Sequence, residues 1–126
     1  MALYQSKRPD YKLSREQRLT SSKLLKETFE QGHSIAGRLM VMWLRDGNDA
    51  SLRLGVVVGQ SIGGAVQRNR AKRRLKEVFR LNRSRLHGKY DIVLMARGRL
   101  NKASWDEVQL ELIDLAGKAG ILSKKL

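Results

Sequence analysis

Between Thr20 and Gly32 the less polar positions fall at Leu24, Leu25, Thr28 and Phe29, the spacing of one side of a helix, with Thr20 or Ser21 as N-cap and Gly32 as the stop. The period then changes. RLMVMWLR (38–45) and SLRLGVVV (51–58) are short runs rich in branched or aromatic residues and read as strands, and the polar DGNDA (46–50) between them reads as a hairpin loop. Gly59 and Gly63–Gly64 end the second run, and a long helix follows from 65 to about 86, with Ala71, Leu75, Val78, Phe79 and Leu86 on one side. YDIVLMA (90–96) is a third strand. In 103–120, Trp105, Val108, Leu112, Leu115 and Ala119 repeat at helical spacing behind a Ser104 N-cap, with Glu107 three residues on as in a capping box. The predicted order is α-β-β-α-β-α, an α+β fold in a two-layer α/β sandwich.

The 126 residues suffice for one domain, placed at 16–122, with a flexible basic arm over 1–15 and a short basic tail at 123–126. The sequence has no cysteine, so neither a disulfide framework nor a thiolate metal site is expected. No apolar run approaches a membrane span, and MALYQSKRPDYKLSR lacks the apolar centre of a signal peptide. The expected location is the cytoplasm.

Charge changes this picture more than any motif. The formal net charge is +14, and residues 68–85 alone hold nine basic side chains and one acid, Glu77. Residues 27–67 hold three basic and four acidic ones, so the basicity is localised. Asn69, Lys72, Lys76, Arg80 and Arg83 form a stripe beside the apolar side of the long helix, with Arg73 next to it. A solvated helix face normally mixes signs; this one does not, and its like charges cost a few tenths of a kcal/mol per neighbouring pair unless an anion meets them. Seven of the nine are arginine, whose planar fork pairs with phosphate at two points. RNA or DNA is the expected partner. Binding to a membrane would need the apolar side that the sheet is expected to cover.

A protein-borne active site is not expected. His33 and His87 lie just beyond helix ends without partners at useful spacing, and Asp106, Glu107, Glu111 and Asp114 belong to the polar side and first turns of the last helix. Asp91 interrupts the third strand and either binds a metal or pairs with an arginine, the pair being favoured. GQSIGG (59–64) lacks the lysine–hydroxyl ending of a phosphate-binding loop. Phe79 and Trp105 are expected in the core; Phe29 and Trp43 could instead stack on unpaired bases beside the cationic stripe.

AVQRNRAKRRLKEVFR (65–80) resembles the signature of the bacterial ribonuclease P protein subunit, whose hallmark is an Arg-Asn-Arg helix, here Arg68-Asn69-Arg70. RLTSSKLLKETFEQGHSIAGRLMVMWL (18–44), LRLGVVVGQSIGGAVQRNR (52–70) and YDIVLMARGRL (90–100) resemble the segments around it, so the likeness spans about 15–120. The resemblance implies a left-handed βαβ crossover around the long helix, against the usual hand. It implies removal of the 5′ leader from precursor tRNA by an RNA subunit that carries the magnesium-dependent chemistry, with no cofactor bound by the protein alone and no further protein partner required. Arg68, Asn69, Arg70, Lys72, Arg73, Lys76 and Arg80 are then the RNA-binding set, and Leu25, Phe29 and Trp43 the leader cleft. Leu25 stands where the family often has an aromatic residue, and Gln60-Ser61 where lysines are common. A ribosomal or other small structural RNA-binding protein would explain the charge equally well, but not the register of the motif. A protein-only nuclease would need clustered carboxylates.

Overall fold

The hydroxyl of Ser21 accepts the Leu24 N–H at 3.3 Å, and Gly32 ends the helix at φ 70°, so both signals predicted for α1 (Ser22–Gln31) are used. The computed structural model describes residues 13–123. Most of the predicted arm and tail lie outside them, although Leu13 already packs against the core. After α1 come β1 (Ser34–Ala36), β2 (Met40–Asp46), β3 (Leu54–Val57), α2 (Ala65–Asn82), β4 (Tyr90–Ala96) and α3 (Trp105–Ala119). A 3-10 turn, Gln60–Ile62, precedes α2, and another, Arg83–Arg85, extends it almost to the predicted end. In α3 the predicted capping box forms: Ser104 Oγ accepts the Glu107 N–H at 3.1 Å, and Glu107 Oε1 accepts the Ser104 N–H at 2.8 Å.

The strands pair in the order β1-β2-β4-β3. β4 runs antiparallel to β2, with Trp43 opposite Val93, and parallel to β3, with Gly55 opposite Val93. The DGNDA loop therefore does not close a hairpin between β2 and β3, because β4 stands between them. Two features put it there. Asp91–Leu94 is buried on both faces, as a central strand requires. The Asp91 carboxylate also takes the N–H groups of Ser51 and Arg53 at 3.2 and 3.1 Å, pinning the incoming chain to β4, and Leu52 turns it at φ 61°. The hairpin that does form joins β1 to β2. Its turn is held by Glu111 of α3, whose carboxylate accepts the N–H groups of Arg38, Leu39 and Met40 at 2.9, 2.7 and 2.8 Å.

One face of the sheet, with Met40, Met42, Leu44, Leu54, Ile92 and Leu94, packs with α2 and α3 into the main core. Alternation sends the other side chains to the opposite face. There they form three cross-strand rows by register: Arg45–Asp91 with Arg53, then Trp43–Val93–Gly55, then Val41–Met95–Val57. α1 crosses the middle row.

Candidate nucleic-acid interface

α2 presents its charges because its other side is fully consumed. Ala71, Leu75, Val78 and Phe79 have no exposed surface, whereas Asn69, Arg70, Lys72, Arg73 and Lys76 are all exposed. The separation predicted from helical spacing is the one observed. Gly64 occupies the N-cap without a side-chain cap, and Arg68 folds back so that its guanidinium donates to the Gly63 carbonyl at 2.7 Å. Arg80 is half-buried and ion-paired with Glu77.

Two arginines of this run serve the fold. Arg74 donates to the Leu100 and Ala103 carbonyls, the latter at 2.8 Å, clamping α2 to the turn before α3. Burial, and then the neighbouring charge of Arg70, lower its pKa from the ordinary arginine value. Arg83, on the predicted cationic stripe, instead donates to the Leu52 and Ser51 carbonyls, both at 3.2 Å, and burial lowers its pKa too.

The exposed charges border two grooves. One, of about 620 Å³, runs between the chain entering α1, the outer edge of β3 and α2; Leu19, Leu25 and Val56 line it together with Arg73, Lys76 and Arg80. The other, of about 730 Å³, lies between the N-terminal half of α2 and the β4–α3 loop, bordered by Asn69, Arg70, Arg73 and Lys102. Leu25 thus joins the cationic stripe in one groove, while Phe29 and Trp43 are not part of that lining. Their rings meet edge to face instead, centroids 4.9 Å apart, both half-buried where α1 crosses β2.

The position of α1 is set by close approaches at both ends. Over β3, a Cβ on Gly55 would stand 3.0 Å from Leu25 Cδ2 and 3.2 Å from the Leu19 carbonyl oxygen, so the helix approaches this strand only because residue 55 has no side chain. Over β2, Gln31 pairs both amide groups with the Asp46 backbone at 2.8 and 2.9 Å, and Glu27 lies 3.5 Å from Arg45. Arg45 in turn reaches Asp91 and Asp49, each at 2.8 Å. The alternative for Asp91 resolves to a pair with arginine, in fact two, since Arg53 Nη2 lies 2.7 Å from it.

Comparison with known proteins decides the family. Residues 13–120 match the family model described as Ribonuclease P. The chain belongs to the bacterial ribonuclease P protein family. A ribonuclease P protein component from Syntrophomonas wolfei is 30% identical over 112 residues, covering 89% of this chain and 94% of that one. One from Natranaerobius thermophilus is 35% identical over 101 residues, covering 80% and 88%. Among solved structures, the Staphylococcus aureus ribonuclease P protein superposes with TM-score 0.74 at 26% identity, covering 85% of this chain and 98% of that one. The Thermotoga maritima protein gives 0.71 at 28% identity, covering 80% and 96%. The fold is that of the ribonuclease P protein, the protein component of an endoribonuclease of tRNA processing.

Within this family frame, sequence reasoning misses two site-shaping residues. Arg18 borders the groove beside β3 from the segment before α1, a place visible only once that segment bridges to β3 at Leu54. Glu111 reads as an ordinary polar-side residue of an amphipathic helix, and its hold on a backbone more than seventy positions away leaves no local signal. Gln60 and Ser61 lie in the 3-10 turn before α2 and are exposed.

Proposed function

We propose that the protein binds the RNA subunit of ribonuclease P along α2 and holds the single-stranded 5′ leader of precursor tRNA against α1 and the sheet, assisting leader removal by an RNA active site. The observation that carries this reading is the exposure of Arg70, Lys72, Arg73 and Lys76 on a helix whose opposite side is entirely buried. Each exposed cation pairs with a phosphate and releases condensed counterions, so affinity comes from charge and is salt-dependent. Asn69 lies among them with amide donors and an acceptor for sugar or phosphate groups. Arg68 and Arg80 are already partnered within the protein and contribute charge and order to the ends of the stripe. The Phe29 and Trp43 rings and Leu25 offer apolar surface to unpaired leader bases, which mature tRNA lacks.

Magnesium belongs to the RNA in this scheme. Among the described residues, no three histidine or acidic side chains converge. The buried carboxylate of Asp91 is engaged by two guanidiniums and two backbone N–H groups. These residues do not fit a magnesium site, and no step is assigned to the ion on this chain.

The test is a salt series of affinities for the RNA subunit, and for precursor and mature tRNA with the reconstituted complex. Arg73→Ala or Lys76→Ala flattens the slope of log affinity for the RNA subunit against log salt by about 0.7–0.9 for each phosphate pairing removed. Phe29→Ala and Trp43→Phe leave that slope intact and reduce the preference for precursor over mature tRNA. Full discrimination by both folded aromatic variants would move the leader elsewhere.

A further inference from the structure

The β4–α3 loop, 97–102, separates the groove beside the N-terminal half of α2 from a third one. This third groove, of about 570 Å³, lies at the β1–β2 turn against α3, where Arg38, Arg97, Arg99 and Lys118 line it with Glu111 and Asp114. We infer that a strand of the RNA subunit leaves α2, crosses the loop at Gly98 and sets its phosphates on Arg38, Arg97 and Arg99. This deepens the reading that α2 meets that RNA, and rests on it. Both acids of the groove are spent within the protein. Glu111 accepts three backbone N–H groups of the turn, and Asp114 lies 3.1 Å from Lys118. Among the described residues no acid pairs with Arg38, Arg97 or Arg99, and all three are exposed. Arginines gathered without a counter-charge repel one another until an anion joins them, and their planar forks fit phosphate.

Their support is fixed at both ends. Arg97 donates to the Gly37 carbonyl at 2.9 Å, tying the loop to the turn. Asn101 donates to the Gln67 carbonyl at 2.9 Å and Arg74 to the Leu100 carbonyl, tying the same loop to α2. The cations of α2 and of the turn therefore stand on connected, hydrogen-bonded supports, and a polyanion meets both with little further ordering of the protein. Gly98 joins the two grooves: it lines the one beside α2, while its neighbours Arg97 and Arg99 line the other. A Cβ built on Gly98 would meet nothing within 4 Å, so the loop is bare at the crossing. None of the residues lining the third groove belongs to α1, which separates it from the surface offered to the leader.

The experiment measures affinity of the full chain for the RNA subunit alone across a salt series. Arg38→Gln and Arg99→Gln should each flatten the slope of log affinity against log salt by about 0.7–0.9. Gly98→Leu removes no charge but stands in the path, and should flatten the slope by at least as much. Gly98→Ala, whose Cβ has open space, should match the parent, and thermal midpoints equal to the parent's would separate these effects from folding. Unchanged affinity and slope in Arg38→Gln and Arg99→Gln overturns the inference, and spares the α2 reading if Lys76→Ala still flattens the slope. Flattening by the arginine variants but not by folded Gly98→Leu overturns the crossing. An effect that appears only with precursor tRNA present gives the groove to the substrate and overturns it too. If Arg73→Ala and Lys76→Ala are also without effect, both readings fall.

Discussion

Arg45 and Asp91 face one another across the β2–β4 ladder and join in a 2.8 Å ion pair inside the protein. Asp91 has no exposed surface and Arg45 almost none. Burial alone would push the Asp91 carboxyl up. The Arg53 guanidinium, the backbone N–H groups of Arg53 and Ser51, and Arg45 outweigh it and hold the pKa below the usual value. Removing the Asp91 charge leaves the buried Arg45 with only the more exposed Asp49 and Glu27 as counter-charges, so Asp91→Asn should cost about 3 kcal/mol in urea unfolding, the low end for breaking a buried pair. The sign of the pH dependence follows from the depressed pKa. The stabilisation is fully present above the unfolded value of about 3.9 and is lost as pH falls through the lower folded value. Stability of the parent should therefore drop on acidification below about pH 4, and that part of the drop should be missing from Asp91→Asn.

Glu111 closes the β1–β2 turn from the far side of the chain. Glu111→Ala leaves three backbone N–H groups without their acceptor, and the loss of a charged acceptor costs about 1.5–3 kcal/mol. Gly37→Ala should destabilise in the same direction, since its Cβ would collide with the Glu111 Oε2 that those bonds hold in place. Denaturant midpoints for the two single variants and the double variant check this. The double should be less costly than the sum, because both changes break the same set of hydrogen bonds.

The arginines of the basic run divide into two kinds that a single assay pair separates. Arg74→Ala and Arg83→Ala remove clamps onto backbone carbonyls and should lower the thermal midpoint. Lys72→Ala and Arg73→Ala remove exposed charge and should leave that midpoint within the change of about 0.5 kcal/mol usual for surface sites. Their effect belongs to the salt dependence of RNA binding. A thermal loss in Arg73→Ala equal to that in Arg74→Ala would contradict the division.

Phe29 and Trp43 meet edge to face, and such pairs add about 0.5–1.5 kcal/mol beyond the area they bury. A double-mutant cycle with Phe29→Leu and Trp43→Leu should return a coupling of that size. A coupling near zero would mean that α1 is held by Gln31 and Glu27 without help from the rings.

His33→Ala and His87→Ala should leave leader removal by the reconstituted complex nearly unchanged, since both side chains are exposed. A large loss in either, measured in single turnover, would reopen the case for protein-borne chemistry.

Much of this architecture is legible in the sequence because it is local. The caps of α1 and α3, the whole of β4 and the two sides of α2 follow from periodicity and short-range hydrogen bonding. The pairing of β2 with β3 is misread because the loop composition of DGNDA is equally compatible with a crossing connection, and what decides is a carboxylate forty positions on, at Asp91. The three residues of β1 are too few to show a period. In the candidate site, Arg70, Lys72, Arg73 and Lys76 can be found from the stripe. The diversion of Arg83 into the fold cannot, since its carbonyl partners lie across a turn that only Leu52's positive φ creates.

The central place of β4 also shapes how the chain comes into being. Synthesis delivers β2, β3 and the whole cationic helix before the strand that both β2 and β3 need. Until residues 90–96 emerge, the short β1–β2 hairpin is the one strand pair among the described residues that can be complete, and the apolar side of α2 has no finished sheet to rest on. An anionic surface close to the emerging chain would therefore meet its most basic stretch before the fold that orders it is complete. Folding to completion withdraws that apolar side and leaves the charge as an ordered ridge.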